Sequence, residues 1–137
     1  MISITFADAR FTRPRLRNRF DLLLGVEAKL SVVVNARPIY VEPMFAIVEL
    51  RTALAAWLVS EPKSGFEFDS MEFEEHGALW FRQRPSGAWS VGSVFQDRVA
   101  PGESSLADLV EVCGGFVDSV DKWVRENLNV EVEDVLA

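Results

Sequence analysis

Glu72 and Glu74 stand two apart in the run Met71-Glu72-Phe73-Glu74-Glu75-His76-Gly77. On an extended backbone that spacing puts both carboxylates on one face, roughly 7 Å apart, a separation compatible with general acid and base chemistry. Any solvated strand face has the same spacing, and Arg82 and Arg84 are placed to neutralise it. His76, the single histidine, falls at a turn tip without a nucleophile on its face, which suits a solvated side chain. Cys113, the single cysteine, lies in an apolar stripe, whereas a reactive thiol needs an electropositive, partly exposed site. A lone cysteine also excludes an internal disulfide and a cysteine metal cluster. Glu67, Asp69, Glu72 and Glu74 are an oxygen-rich set, but strand alternation divides them between two faces, so no metal site is assigned. Phosphate-loop, dinucleotide-glycine and nucleophile-elbow motifs are missing from the sequence, and no cofactor or catalytic residue is assigned.

Binding is better supported than catalysis. Trp and Arg are enriched at interface hot spots, and the pattern places Trp80 with Arg82 and Arg84 among acids. This follows from reading residues 66–95 as a meander with alternating apolar and polar positions. Glu75-His76-Gly77 and Pro85-Ser86-Gly87 both fit three-residue hairpin loops ending in a left-handed glycine. That register sets Glu72 opposite Trp80, Met71 opposite Phe81, Gln83 opposite Trp89, Phe81 opposite Val91 and Trp80 opposite Gly92. Met71, Phe73, Leu79, Phe81, Trp89, Val91 and Phe95 then share a buried face. Glu72, Glu74, Trp80, Arg82 and Arg84 share the open one, with the Trp80 ring covering the Gly92 backbone. Phe66 and Phe68 are out of phase with Met71 and Phe73, which predicts a bulge or bend near Asp69-Ser70.

The elements on either side must support this sheet. Residues 2–7 alternate as a strand. Residues 8–19 form an irregular segment with Arg10, Arg13, Arg15, Arg17 and Arg19, more suited to pairing with the chain's own carboxylates than to binding phosphate. Phe20–Val34 alternates as one long strand, Asn35-Ala36-Arg37 turns, and Pro38–Glu42 returns. After Glu42-Pro43 a helix runs to about Val59 on the spacing of Ile47, Leu50, Leu54, Trp57 and Leu58. Gln96–Gly102 is a connection. A longer helix, capped by Ser104 or Ser105, carries a stripe from Leu106 through Val110, Cys113, Phe116, Val120 and Val124 to Leu128. Gly114-Gly115 costs that helix about 1 kcal/mol per residue relative to Ala, which predicts a close approach to the sheet or a bend. The acidic tail 129–137 is either frayed or a further strand.

The expected fold is therefore one α+β domain over residues 1–137, in the order βββαβββα. It is a two-layer arrangement, with an antiparallel meandering sheet of about six strands and both helices on one face. A chain of 137 residues with 49% hydrophobic residues has room for one substantial core. A formal charge of −7 opposes nucleic-acid binding and favours a basic protein partner. No apolar run is long enough to span a membrane. The N-terminus lacks a basic-then-apolar signal pattern, so a cytoplasmic protein is expected.

Four stretches, Glu42-Pro43-Met44-Phe45, Trp57-Leu58, Phe68–Glu75 and Gly87–Phe95, resemble a family of short actinobacterial proteins of unknown function, over about residues 2–125. The resemblance implies a bacterial cytoplasmic protein and transfers no functional residue. In size and charge the chain is also similar to immunity proteins that neutralise toxins. The expected function is a non-enzymatic interaction module, an immunity-like inhibitor of a basic partner, with homodimerisation through the same face as a further possibility. The alternative is a small-molecule binder or enzyme with a pocket between sheet and helices, using Glu72 or His76.

Overall fold

The computed structural model describes residues 1–96 and 100–137. In chain order the elements are β1 (Ile2–Phe11), α1 (Arg19–Gly25), β2 (Val26–Val34), β3 (Arg37–Ala46), α2 (Ile47–Val59), β4 (Phe66–Phe68), β5 (Leu79–Gln83), β6 (Trp89–Gly92), a 3₁₀ turn (Val94–Gln96), β7 (Gly102–Ser104), α3 (Leu106–Leu128) and α4 (Val132–Leu136). The fold is α+β, but the strands form two antiparallel sheets, ordered β1-β2-β3 and β4-β5-β6-β7. The single six-stranded meander expected from sequence is not formed.

The reason lies in α2. Ile47, Val48, Glu49, Leu50, Arg51, Leu54 and Trp57 are all buried, so this helix is covered on several sides and cannot lie on one face of one sheet. It packs on β2 of the larger sheet and against α3, which in turn packs on β1. At its C-terminal end the Trp57 ring meets Phe66, Phe81 and Trp89 of the smaller sheet, with centroids 6.2, 5.3 and 6.0 Å away. Its indole N–H donates to Ser64 O at 2.9 Å. A second aromatic group joins the sheets: Phe45 contacts Phe68 and Phe73, and Tyr40 stacks on Phe95. Gly102 lies so close to Val34 that a Cβ there would be 2.6 Å from the valine Cβ.

Several boundaries depart from expectation. The long strand predicted over Phe20–Val34 begins instead with α1, because the Asn18 side chain accepts from the Phe20 and Asp21 N–H groups and starts a helical turn. Three consecutive leucines suit that turn as well as they suit a strand. Of the arginine-rich segment, Arg13 and Arg17 face Asp21 at 4.0 and 3.4 Å, as self-pairing predicts. Pro43 does not end β3. It falls where the β2–β3 register shifts between Ala28↔Phe45 and Leu30↔Glu42, a bulge in which a proline removes no ladder bond. Gly102, expected to end the connection, and Ser104, one of the two expected caps, belong instead to β7. Residues 97–99 of that connection lie outside the described residues.

In α3 the Ser105 hydroxyl caps Asp108 N at 3.1 Å and Cys113 is fully buried, its thiol pushed up to about 12 by desolvation. Val110, placed in the apolar stripe from sequence, is exposed. Gly114 and Gly115 lie within the unbroken α3 and make no close approach to the sheet: nothing lies within 4 Å of a Cβ at either. The tail is neither frayed nor a strand. Its α4 buries Val132 and is held by Arg125–Glu131 and Arg51–Glu133 pairs, both at 2.7 Å. No described helix is long and apolar enough to cross a membrane.

Arg51 ties three helices together. From the buried face of α2 its guanidinium donates to Asp121 of α3 at 2.7 and 3.0 Å and to Glu133 of α4 at 2.7 Å. Removing one partner of a buried pair costs about 3–5 kcal/mol. Glu133 is largely exposed and can return to water, so Arg51→Ala is expected to cost about 2–3 kcal/mol in urea unfolding. Arg51→Met, which keeps most of the packing, should cost less. Equal midpoints for wild type and Arg51→Ala would show that the bridge contributes nothing.

Candidate functional site

The second predicted hairpin forms in the predicted register. Pro85-Ser86-Gly87 turns with Gly87 at φ +90°, and Gln83↔Trp89, Phe81↔Val91 and Trp80↔Gly92 are paired. The first does not form. β5 pairs instead with β4, as Phe66↔Phe81, Glu67↔Trp80 and Phe68↔Leu79. The bulge expected at Asp69-Ser70 is replaced by a loop over residues 69–78. Buried Glu49, in the first turn of α2, captures that loop: its carboxylate accepts from the Ser70 hydroxyl at 2.6 Å and Met71 N at 2.9 Å. Phe73 then inserts between Phe45 and Phe95, and Met71, expected in the core, is 58% exposed.

This rearrangement divides the predicted site residues. Trp80 and Arg82 remain together on the outer face of the smaller sheet, and the Arg82 guanidinium carbon lies 4.0 Å from the centroid of the Trp80 ring. The indole covers Gly92 as expected, since a Cβ there would lie 2.7 Å from Trp80 Cε2 and closer still to Cζ2. Arg84, at the end of the hairpin, is paired with Glu103 of β7. Glu74 is exposed in the loop and is not part of the β5 face. Glu72 is exposed in the same loop, its N–H donating to Ser70 Oγ at 3.1 Å. Desolvation, together with the charges of Glu27 and Glu49, raises its carboxyl above the usual range against the opposing effect of Arg13. One oxygen of Glu27 is buried with no hydrogen-bond partner among the described residues.

The acid beside Trp80 is therefore Glu67, its partner across the β4–β5 ladder. Glu67, His76, Gly77, Trp80, Arg82, Ser93 and Val94 line a hollow of about 310 Å³ that opens to solvent. His76 lies on this outer surface and not between sheet and helices, with its Nδ1 3.2 Å from Asp69 Oδ2. The Gly77 N–H, donating to Asp69 Oδ1 at 2.9 Å, does most to hold the Asp69 carboxyl below its ordinary range, and His76 adds to it. Glu67, Asp69 and His76 each offer one ligand atom, all within 4.8 Å of one another. Among the described residues these could hold a divalent ion, and they leave the remaining coordination positions to water or a partner. Sequence reasoning separated His76 from this pair by assigning it to a hairpin tip. The usable signal was the Glu67-Phe68-Asp69 alternation, which puts both carboxylates on one face.

The chain belongs to the family described as Domain of unknown function (DUF7878), whose model matches residues 2–126. This bears out the resemblance to a family of unknown function over nearly the whole chain. No curated protein and no solved structure matches the chain.

Two expectations follow from these contacts. Gly92→Ala forces a Cβ against the indole and should cost about 1–3 kcal/mol. In a Trp80→Ala background the same change should be close to neutral, a coupling that a double-mutant cycle in urea measures directly. Additive effects would mean that the ring does not rest on Gly92. Glu72, whose folded-state carboxyl holds its proton to higher pH than in the unfolded chain, disfavours the folded state at pH values above its raised pKa. That penalty fades as pH falls through the raised value toward 4.5 and below. Glu72→Gln should therefore raise the melting temperature near pH 7 and leave it unchanged near pH 3.5. A loss of stability near pH 7 would reverse the assignment.

Proposed function

We propose that this chain is a non-enzymatic protein-interaction module that engages a basic partner through the outer face of the smaller sheet. The observation that carries this reading is the Trp80–Arg82 stack. A half-buried indole, fixed between the Gly92 backbone and a guanidinium 4.0 Å away, presents a rigid amphipathic surface with little entropy left to lose on binding. Glu67 and Asp69 supply the acids that Glu72 and Glu74 were expected to supply, and the net charge of −7 favours encounter with a cationic surface. The hollow beside the indole is at the small end for an organic ligand and suits one inserted side chain. Size and acid excess are those of an immunity-like inhibitor, an analogy of kind that names no target.

The test is affinity capture from a lysate of the native source, followed by direct binding measurements with the captured protein. A basic partner is expected. Trp80→Ala should weaken it by about thirtyfold or more, the loss typical of a central hot spot, with an unchanged circular dichroism spectrum. Full retention of that partner by folded Trp80→Ala would overturn the reading. A dimer in light scattering that Trp80→Ala abolishes would reassign the face to self-association.

A further inference from the structure

A larger cavity lies elsewhere. A groove of about 780 Å³ runs between the free edge of β1 and one face of α3, lined by Met1 to Phe6 on one side and by Asp108, Glu111, Val112, Gly115, Phe116 and Ser119 on the other. Among the described residues β1 pairs only with β2. Asn35 N donates to Met1 O, so Met1 and Asn35 form a hydrogen-bonded pair. By antiparallel alternation the following bonded pairs are Ser3↔Val33, Thr5↔Ser31 and Ala7↔Lys29. The N–H and C=O groups of Ile2, Ile4 and Phe6 therefore point away from the sheet into the groove.

An open edge is normally blunted by charge, proline, a bulge or shortness. The outer edge of β3 carries Arg37, Pro38, Glu42 and Pro43, and the edge strands β4 and β7 span three residues each. Ile2–Ala7 has none of these devices until the register shift between Ala7 and Arg10. Across the groove Gly115 removes a side chain from the facing wall, and no packing inside the molecule uses that space. Phe116, edge-on to Phe6 at 6.0 Å, gives an apolar floor.

The geometry points to β1 as an acceptor for an extended, lysine- or arginine-bearing polypeptide segment, which adds as a further strand beneath α3. Charge selects this occupant. Asp108 and Glu111 are the charged side chains of the lining, and the terminal ammonium is engaged by Asn35 Oδ1. A second copy offering its own β1 would bring no cationic side chain before Arg10, and would set two acidic helix faces near each other. Backbone ladder bonds supply affinity in such strand addition, and alternate side chains supply selectivity. The site is separate from the Trp80 face and stands or falls independently of it.

The test uses the full chain and three capped octapeptides: alternating Val-Lys, alternating Val-Glu, and Val-Lys with alternate amides N-methylated. Titration at low salt should show the Val-Lys peptide binding about tenfold or more tightly than either other peptide. Amide exchange at Ile4 and Phe6, rapid in the free protein, should slow on binding. Gly115→Trp, which fills the groove at an exposed position, should abolish binding. Glu111→Lys should weaken it at least threefold, whereas Trp80→Ala should leave it unchanged. Equal binding of the Val-Glu or N-methylated peptide, no binding of the Val-Lys peptide, or a peptide-free dimer with slowed exchange at Ile4 and Phe6 would each overturn the proposal.

Discussion

The absence of a solvent face on most of α2 constrains everything else. A helix with Ile47, Val48, Leu50, Leu54 and Trp57 buried cannot be served by one sheet, because a sheet covers only one stripe of a helix. The chain meets this requirement by dividing its strands. β2 packs on one side of it, the aromatic residues of β4, β5 and β6 close around Trp57, and α3 packs on it as well. The polar groups that α2 carries into this interior, Glu49 and Arg51, are both satisfied by hydrogen bonds from or to other elements. Each becomes a tie where an unpaired buried charge would otherwise be a large cost.

Glu49 has consequences at a distance. Accepting from Ser70 Oγ and Met71 N, it fixes the start of the 69–78 loop and so prevents residues 71–75 from pairing with β5. The partner of β5 becomes β4, and the acid beside Trp80 becomes Glu67 instead of Glu72. A carboxylate in the first turn of a helix thus decides which carboxylates face solvent on the far side of the smaller sheet. Desolvation and the charges of Glu27 and Glu49 then raise the carboxyl of the displaced Glu72 above its ordinary range.

What could be read from the sequence follows the same division between local and distant determinants. The Pro85-Ser86-Gly87 hairpin was legible to the residue because the turn itself sets the register, and Gly87 at φ +90° is the conformation its type favours. The cover of Gly92 by Trp80 followed from that register, as did the place of Arg82 on the same face. The Ser105 cap and buried Cys113 were legible for a similar reason, since helical spacing and a capping side chain are local. Alternation misled where two periods coincide: Leu22, Leu24 and Val26 fit a strand, but Asn18 two residues before Phe20 was a readable cap that breaks it. The first hairpin was illegible because a contact between residues 49 and 70 decides it. The division into two sheets was equally hidden, although the nearly continuous apolar character of α2 was its sign.

The same logic bears on what the surface is for. Folding alone accounts for Gly92, against which Trp80 packs, and for Gly102, against which Val34 packs, because a side chain at either would collide with its neighbour. It does not account for Gly114 and Gly115, which lower helix stability by about 1 kcal/mol each relative to Ala with open space around both. Nor does folding require the first half of β1 to present unpaired backbone groups beside Gly115, when every other described sheet edge is short or interrupted by proline and charge. Two locally unfavourable features that adjoin the same groove are economical only if something outside the monomer uses the space they leave.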